Sequence, residues 1–166
     1  MKRTLGIILL LPILLWGGAR IILDIKFGID CGGHIKRAAD SNTVEIATQE
    51  METVITYLER EEMTEGYTSV LYRTPDEDVG FWYSNLKSSL TELEKVNQET
   101  TQLERSNILL KLRETLLDHG TSGEEITEPE GISVFPNNVG FAIFGIVSLI
   151  FLIGGAVLIF VSLDDF

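Results

Sequence analysis

Residues 139–163 carry no charged side chain, and the run stops at Asp164 and Asp165. As a helix it would rise about 37 Å at about 1.5 Å per residue, more than the ~30 Å hydrocarbon core of a bilayer. A helix in a water-soluble core shows a polar face at 3.6-residue spacing. Here Ser148, Ser162 and a few glycines interrupt an otherwise apolar surface. The pattern predicts a transmembrane helix over residues 139–163.

A second apolar run lies at the amino terminus. Lys2 and Arg3 precede residues 5–16, followed by Gly17, Gly18 and Ala19, then Arg20, Ile21, Ile22, Leu23 and Asp24. Two readings fit. In the first, residues 1–25 are an uncleaved signal anchor, with Arg20 snorkelling to the head groups. In the second they are a signal peptide cut after the small residues. Cleavage would leave a mature chain beginning Arg20-Ile21-Ile22-Leu23, a greasy end for a soluble domain, so the anchor is the expectation.

Between the two runs the periodicity is helical. Val44, Ala47, Met51, Val54 and Leu58 step by three and four, placing one apolar stripe on a helix over residues 35–58. Glu45, Glu52 and Glu59 line its opposite face, and Gly66 ends it after the charge cluster at 59–62. Gly28, Gly32 and Gly33 each cost about 1 kcal/mol in a helix interior, so a break or bend is expected there. Residues 67–73 read as an irregular connector with β-like composition. Thr74-Pro75-Asp76-Glu77 has the form of a capping box opening a second helix, whose stripe is Val79, Trp82, Leu86, Leu90 and Leu93. Thr101-Gln102-Leu103-Glu104 opens a third, with Ile108, Leu109, Leu112 and Leu116, ending near Asp118 to Gly120. Residues 121–138, rich in Gly, Pro and Glu, read as an acidic linker. The expected fold is an all-α membrane protein: two transmembrane helices flanking a small three-helix bundle at residues 26–120.

Charge narrows the partners. The net charge is −12 and falls mostly on the middle region, so a phosphate backbone would be repelled and no nucleic-acid partner is expected. The same balance offers no polybasic grip on anionic lipid. Lys2 and Arg3 favour a cytoplasmic amino terminus, and loops longer than about 60 residues translocate with little regard to charge. The expected topology has both termini in the cytoplasm and residues 26–138 outside, in a bacterial inner (plasma) membrane. The absence of any Asn-x-Ser/Thr sequon suits that setting.

Candidate chemistry is sparse. Cys31-Gly32-Gly33-His34 pairs two ligand types, but one cysteine and one further histidine, His119, do not complete a zinc set, so no metal is expected. Cys31 is instead a candidate for an intermolecular disulfide near the membrane. The carboxylates of Asp76, Glu77 and Asp78 lack the calcium-loop pattern and read as helix capping. Phe81-Trp82-Tyr83 covers about 200° of a helix, so one core-facing stripe cannot hold all three. Either the 67–72 connector folds over them or they form an exposed patch for a protein partner or a membrane interface. Gly145, Gly154, Gly155 and Ala156 give the last helix a packing-permissive face.

No nucleophile–base pair, phosphate loop or dinucleotide fingerprint is visible, so neither an enzyme nor a cofactor is expected. The expected function is that of a membrane-anchored helical interaction protein. It would dock on, regulate or help assemble another membrane or envelope protein, or a second copy of itself, through Phe81, Trp82 and Tyr83. The alternative is an extracytoplasmic ligand-binding sensor with a polar pocket at Asn42, Thr43, Asn107 or Arg113, signalling through a partner subunit. Two spans around a helical bundle broadly look like the input module of bacterial chemoreceptors, although no residue motif carries that likeness.

Overall fold

The computed structural model describes residues 2–120 and 123–164. Met1, residues 121–122 of the expected linker and the last two residues of the expected cytoplasmic tail lie outside the described residues. The chain is 73% helical, and two helices, Lys2–Ala39 and Asn138–Ser162, are long and apolar enough to cross a membrane.

The first long helix is assembled from pieces. α1 (Lys2–Leu9) passes through a turn at Leu10 into α2 (Leu11–Phe27), where Pro12 sits in the first turn and contributes no N–H. At the glycines, where a break or bend is expected, the helix is not interrupted but its period changes. Residues Gly28–Gly32 form one π-helical turn and α3 (Gly33–Ala39) follows with helical angles throughout. Packing outweighs glycine propensity here, because Phe27, Cys31 and Ile35 are all buried on one face. The missing side chains also help, since a Cβ on Gly33 would lie 3.0 Å from Gly28 O and one on Gly32 3.0 Å from Ile126 Cδ1.

The break falls instead at residues 40–43, inside the helix expected over 35–58. Thr43 is extended and its Oγ1 accepts from Ile46 N at 3.3 Å, capping α4 (Val44–Arg60). α4 folds back along α3, so His34 meets Glu50 and the Phe27 and Tyr57 rings meet edge to face at 6.1 Å. The expected stripe Val44, Ala47, Met51, Val54 and Leu58 is buried throughout.

α5 (Val79–Glu94) begins later than expected. Thr74-Pro75-Asp76-Glu77 forms a separate 3-10 turn over Pro75–Glu77, and Asp78 is the true cap, its Oδ1 accepting from Phe81 N at 2.9 Å. α5 runs antiparallel to α4, with Tyr83 and Lys87 both reaching Glu59. α6 (Gln102–Leu116) starts at the expected capping box: Thr101 Oγ1 accepts from Glu104 N, and Thr101 N donates to Glu104 at 2.7 Å. Thus α3, α4, α5 and α6 surround the core where three helices were expected.

The described part of the segment expected as an unstructured linker, residues 123–138, is folded. β1 (Leu117–Gly120) and β2 (Gly123–Ile126) pair antiparallel, Leu117 opposite Ile126 and Asp118 opposite Glu125. Pro129, Ile132 and Val134 are then buried, the last two in a 3-10 turn over Ile132–Val134. The composition is polar overall, yet Ile132 and Val134 are buried and Ile126 and Phe135 pack partly buried against the core, closing one side of it.

α7 (Asn138–Asp164) returns antiparallel beside α1 and α2. One covered stripe runs through positions 138, 141, 145, 148, 152, 155, 159 and 162, alternating by three and four as in a left-handed helix pair, with 142, 154 and 158 partly covered beside it. Gly155 faces Gly6, and Gly145 faces the Trp16 ring, whose Nε1 donates to Phe141 O at 2.9 Å. Of the small residues expected on the packing face, Gly154 has nothing within 4 Å and Ala156 is exposed. Leu14, Leu15, Ile22, Ile146, Ile150 and Phe160 point outward, uncovered.

Candidate functional site

The aromatic triplet is split by its own helical geometry. Trp82 lies on the Val79–Leu86 stripe, is 6% exposed, and donates from Nε1 to Thr127 O at 2.6 Å. The segment after β2 thus ties down one edge of the Trp82 ring, and with 6% exposed the side chain offers only that edge to a partner. Tyr83 is half-buried; its hydroxyl donates to Glu59 at 2.6 Å, and Lys87 donates to both. The Lys87 ammonium beside Glu59, with the Tyr83 hydroxyl bond, holds the Glu59 carboxyl below its ordinary pKa. Phe81 alone stands clear, 64% exposed.

Phe81 stands at a cleft of about 390 Å³ between the start of α5 and the β1–β2 hairpin. Asp76, Asp78, Asp118, Glu125 and Glu128 line it together with Phe81 and the edge of Trp82, and no Lys or Arg is among its lining residues. These carboxylates come from three stretches of chain that only the tertiary fold brings together. Asp78 is engaged as the α5 cap, and Asp118 accepts from His119 N at 2.6 Å. Glu128 keeps one side open to solvent, yet the protein packed around its carboxyl, reinforced by the like charge of Asp24, pushes its pKa up to about 7. Such a cleft attracts cations, and its aromatic rim suits an alkylammonium or guanidinium group. Among the described residues no group of three or more His, Cys, Asp and Glu is arranged to hold a metal ion.

A second cleft, of about 610 Å³, lies between the π turn, α3 and α4, lined by residues including Asp30, His34, Glu52, Tyr57 and Arg60. Beside it the buried Glu50 accepts from His34 Nδ1 at 2.6 Å and pairs with Arg37 at 2.6 Å. Neither cleft is lined by the polar residues expected for a sensor pocket. Asn42, Thr43 and Asn107 are exposed, Thr43 serves as the α4 cap, and Arg113 is tied to Asp40 at 2.5 Å and to Glu124. The Arg113 guanidinium holds the Asp40 carboxyl below its ordinary pKa.

Cys31, within the π turn, is fully buried against the core. Burial, with the nearby Glu128 and Asp30 charges, pushes its thiol pKa up to about 12. A bridge to a second copy needs two sulfurs about 2 Å apart, which requires opening this packing first. The signal for the cleft was present in the sequence only as separate acidic residues near turns, with nothing to join them. The chain matches no family model, no curated protein and no solved structure.

Proposed function

We propose that this chain is a membrane-anchored, non-enzymatic interaction protein. Its two apolar helices would cross a bacterial inner membrane as an antiparallel hairpin, with both termini cytoplasmic. Its helical domain, residues 26–138, would stand outside and dock on another membrane or envelope protein, or on a second copy of itself. The observation that carries the reading is Phe81, exposed at the rim of a cleft whose described lining has five carboxylates, one His (His119) and no Lys or Arg. A partner presenting Lys or Arg beside an apolar residue fits that chemistry. A cation 4 Å from one carboxylate gains about 1 kcal/mol in water and about 4 kcal/mol where the surroundings lower the effective dielectric. Contact with the Phe81 face adds about 0.5–1 kcal/mol.

The hairpin is supported by the uncovered aliphatic surface of α2 and α7, which in water would exceed the apolar patch that monomers expose. The contact is tested by placing a photo-crosslinking residue at position 81 of the full chain in its native membrane. A discrete adduct that fades in Asp118→Asn and Glu125→Gln variants supports the docking role. An adduct of twice the chain mass identifies self-association. No adduct, with the protein folded and in the membrane, rejects the Phe81 cleft as the contact.

A further inference from the structure

We propose that the Val70–Leu71–Tyr72 tip is a third, non-spanning membrane contact that inserts into the lipid interface beside the helix hairpin; the proposal rests on the reading that the two apolar helices cross a bilayer. These three consecutive residues are 43%, 85% and 78% exposed, although the core lies only a few residues away at Met63 and Val79. Their position says what covers them. Gly66 packs against the Phe135 ring, where a Cβ would sit 3.3 Å from Cζ, and Phe135 lies three residues before α7 begins at Asn138.

From Gly66 the chain is aimed toward that same end of the domain. Val79 N donates to Gly66 O at 3.0 Å, Thr68 N donates to Glu77 O at 3.0 Å, and Tyr67 bridges Asp78 antiparallel. Residues 66–68 therefore run opposite to residues 77–79. The latter lead into α5, which climbs beside α4 away from the end where Tyr57 meets Phe27. The loop hangs in the other direction. Five residues separate Leu71 from Gly66, a reach of at most about 16 Å, so the tip stays within that distance of the Phe135 level from which α7 starts.

The residue types suit that depth. Leu71 supplies an apolar wedge, Tyr72 an aromatic body with a polar tip, and tyrosine prefers membrane–water interfaces. Arg73 follows, its guanidinium 5.2 Å from the Tyr67 ring centre, a cation suited to a lipid phosphate if the tip inserts. Asp76 and Glu77 lie on the returning arm, so zwitterionic lipid is the fitting surface and strongly anionic lipid is disfavoured.

The experiment uses the full chain in phosphatidylcholine vesicles, with a nitrobenzoxadiazole dye attached at Leu71→Cys. Leu14→Cys on the exposed face of α2 and Ser88→Cys on α5 serve as lipid and water references, and the unsubstituted chain reports background labelling of Cys31. The proposal expects the dye at position 71 to emit to the blue of the position 88 dye and to be quenched by a spin label high on the acyl chain. If position 71 matches position 88 while position 14 reads lipid, the tip does not insert and the proposal falls. If position 14 also reads water, the membrane reading itself has failed.

Discussion

Gly6 and Gly155 lie backbone to backbone: a Cβ placed on Gly155 would come 2.7 Å from Gly6 O, and one on Gly6 would come 2.9 Å from Gly155 O. Neither position has room for a side chain, and this closeness is what lets α1 and α7 run side by side. In a lipid setting apolar helices gain little from mutual burial, so such close van der Waals contact carries the pairing.

Replacing Gly155 by Leu should separate the helices, at about 1–3 kcal/mol for a side chain forced into a filled space. Gly154→Leu is the control, since nothing lies within 4 Å of it. Thermal unfolding in detergent should show Gly155→Leu well below the parent and Gly154→Leu close to it. Equal midpoints for the two variants would remove the seam from the account.

Glu50 joins α3 to α4 through its bonds to His34 and Arg37 while itself nearly buried. Glu50→Ala leaves two cationic or polar partners unpaired and a small void, so a loss of about 2–4 kcal/mol is expected. A double-mutant cycle with His34→Ala should show coupling, because the second change removes a bond already lost. Strict additivity would mean that the His34 contact contributes nothing.

Trp82→Phe keeps the buried ring but deletes the donor to Thr127 O. The expected cost is about 1 kcal/mol, and the readout that distinguishes it from simple repacking is amide exchange. Exchange should quicken at residues 123–128 more than in α4. Uniform change across both segments would contradict a local tether.

Cys31 should be nearly inert to maleimide at neutral pH in the folded protein and label fully after denaturation. Two effects agree: the sulfur is enclosed, and a thiol pKa near 12 leaves almost no thiolate. Rapid labelling of the native chain would show that the π turn opens readily.

Glu128 gives the domain a pH dependence of definite sign. Its folded pKa, about 7, lies above the ordinary 4.5, so between those values the folded state holds a proton that the unfolded state has released. Stability from this residue is therefore present below about 4.5, falls as pH rises, and is lost above about 7. The change is modest because Glu128 still meets solvent on one side. Glu128→Gln should melt close to the parent at pH 4.5 and above it at pH 8. Parallel melting curves across that range would refute the shift.

What the sequence determined by itself is whatever depends on near neighbours. Two long apolar runs, the Val44–Leu58 stripe and the Thr101–Glu104 box can each be read locally, because helix period and capping involve residues a few positions apart. The turn at residues 40–43 was legible in principle, since Ser41, Asn42 and Thr43 all compete with helical bonding, but the long stripe around it masked the break. The tertiary structure alone decided which faces meet. Glycines read as helix breakers stay helical at 28–33 because the core needs Phe27, Cys31 and Ile35 in line. Residues 123–135, too polar on average to suggest a fold, are ordered because Ile126, Ile132 and Val134 meet a core supplied by distant helices. The same segment buries Trp82 and leaves Phe81 outside, so the division between core and contact surface rests on a bond across 45 residues of chain. No local pattern encodes that choice, because its energy comes from contacts that exist only once the chain has closed on itself.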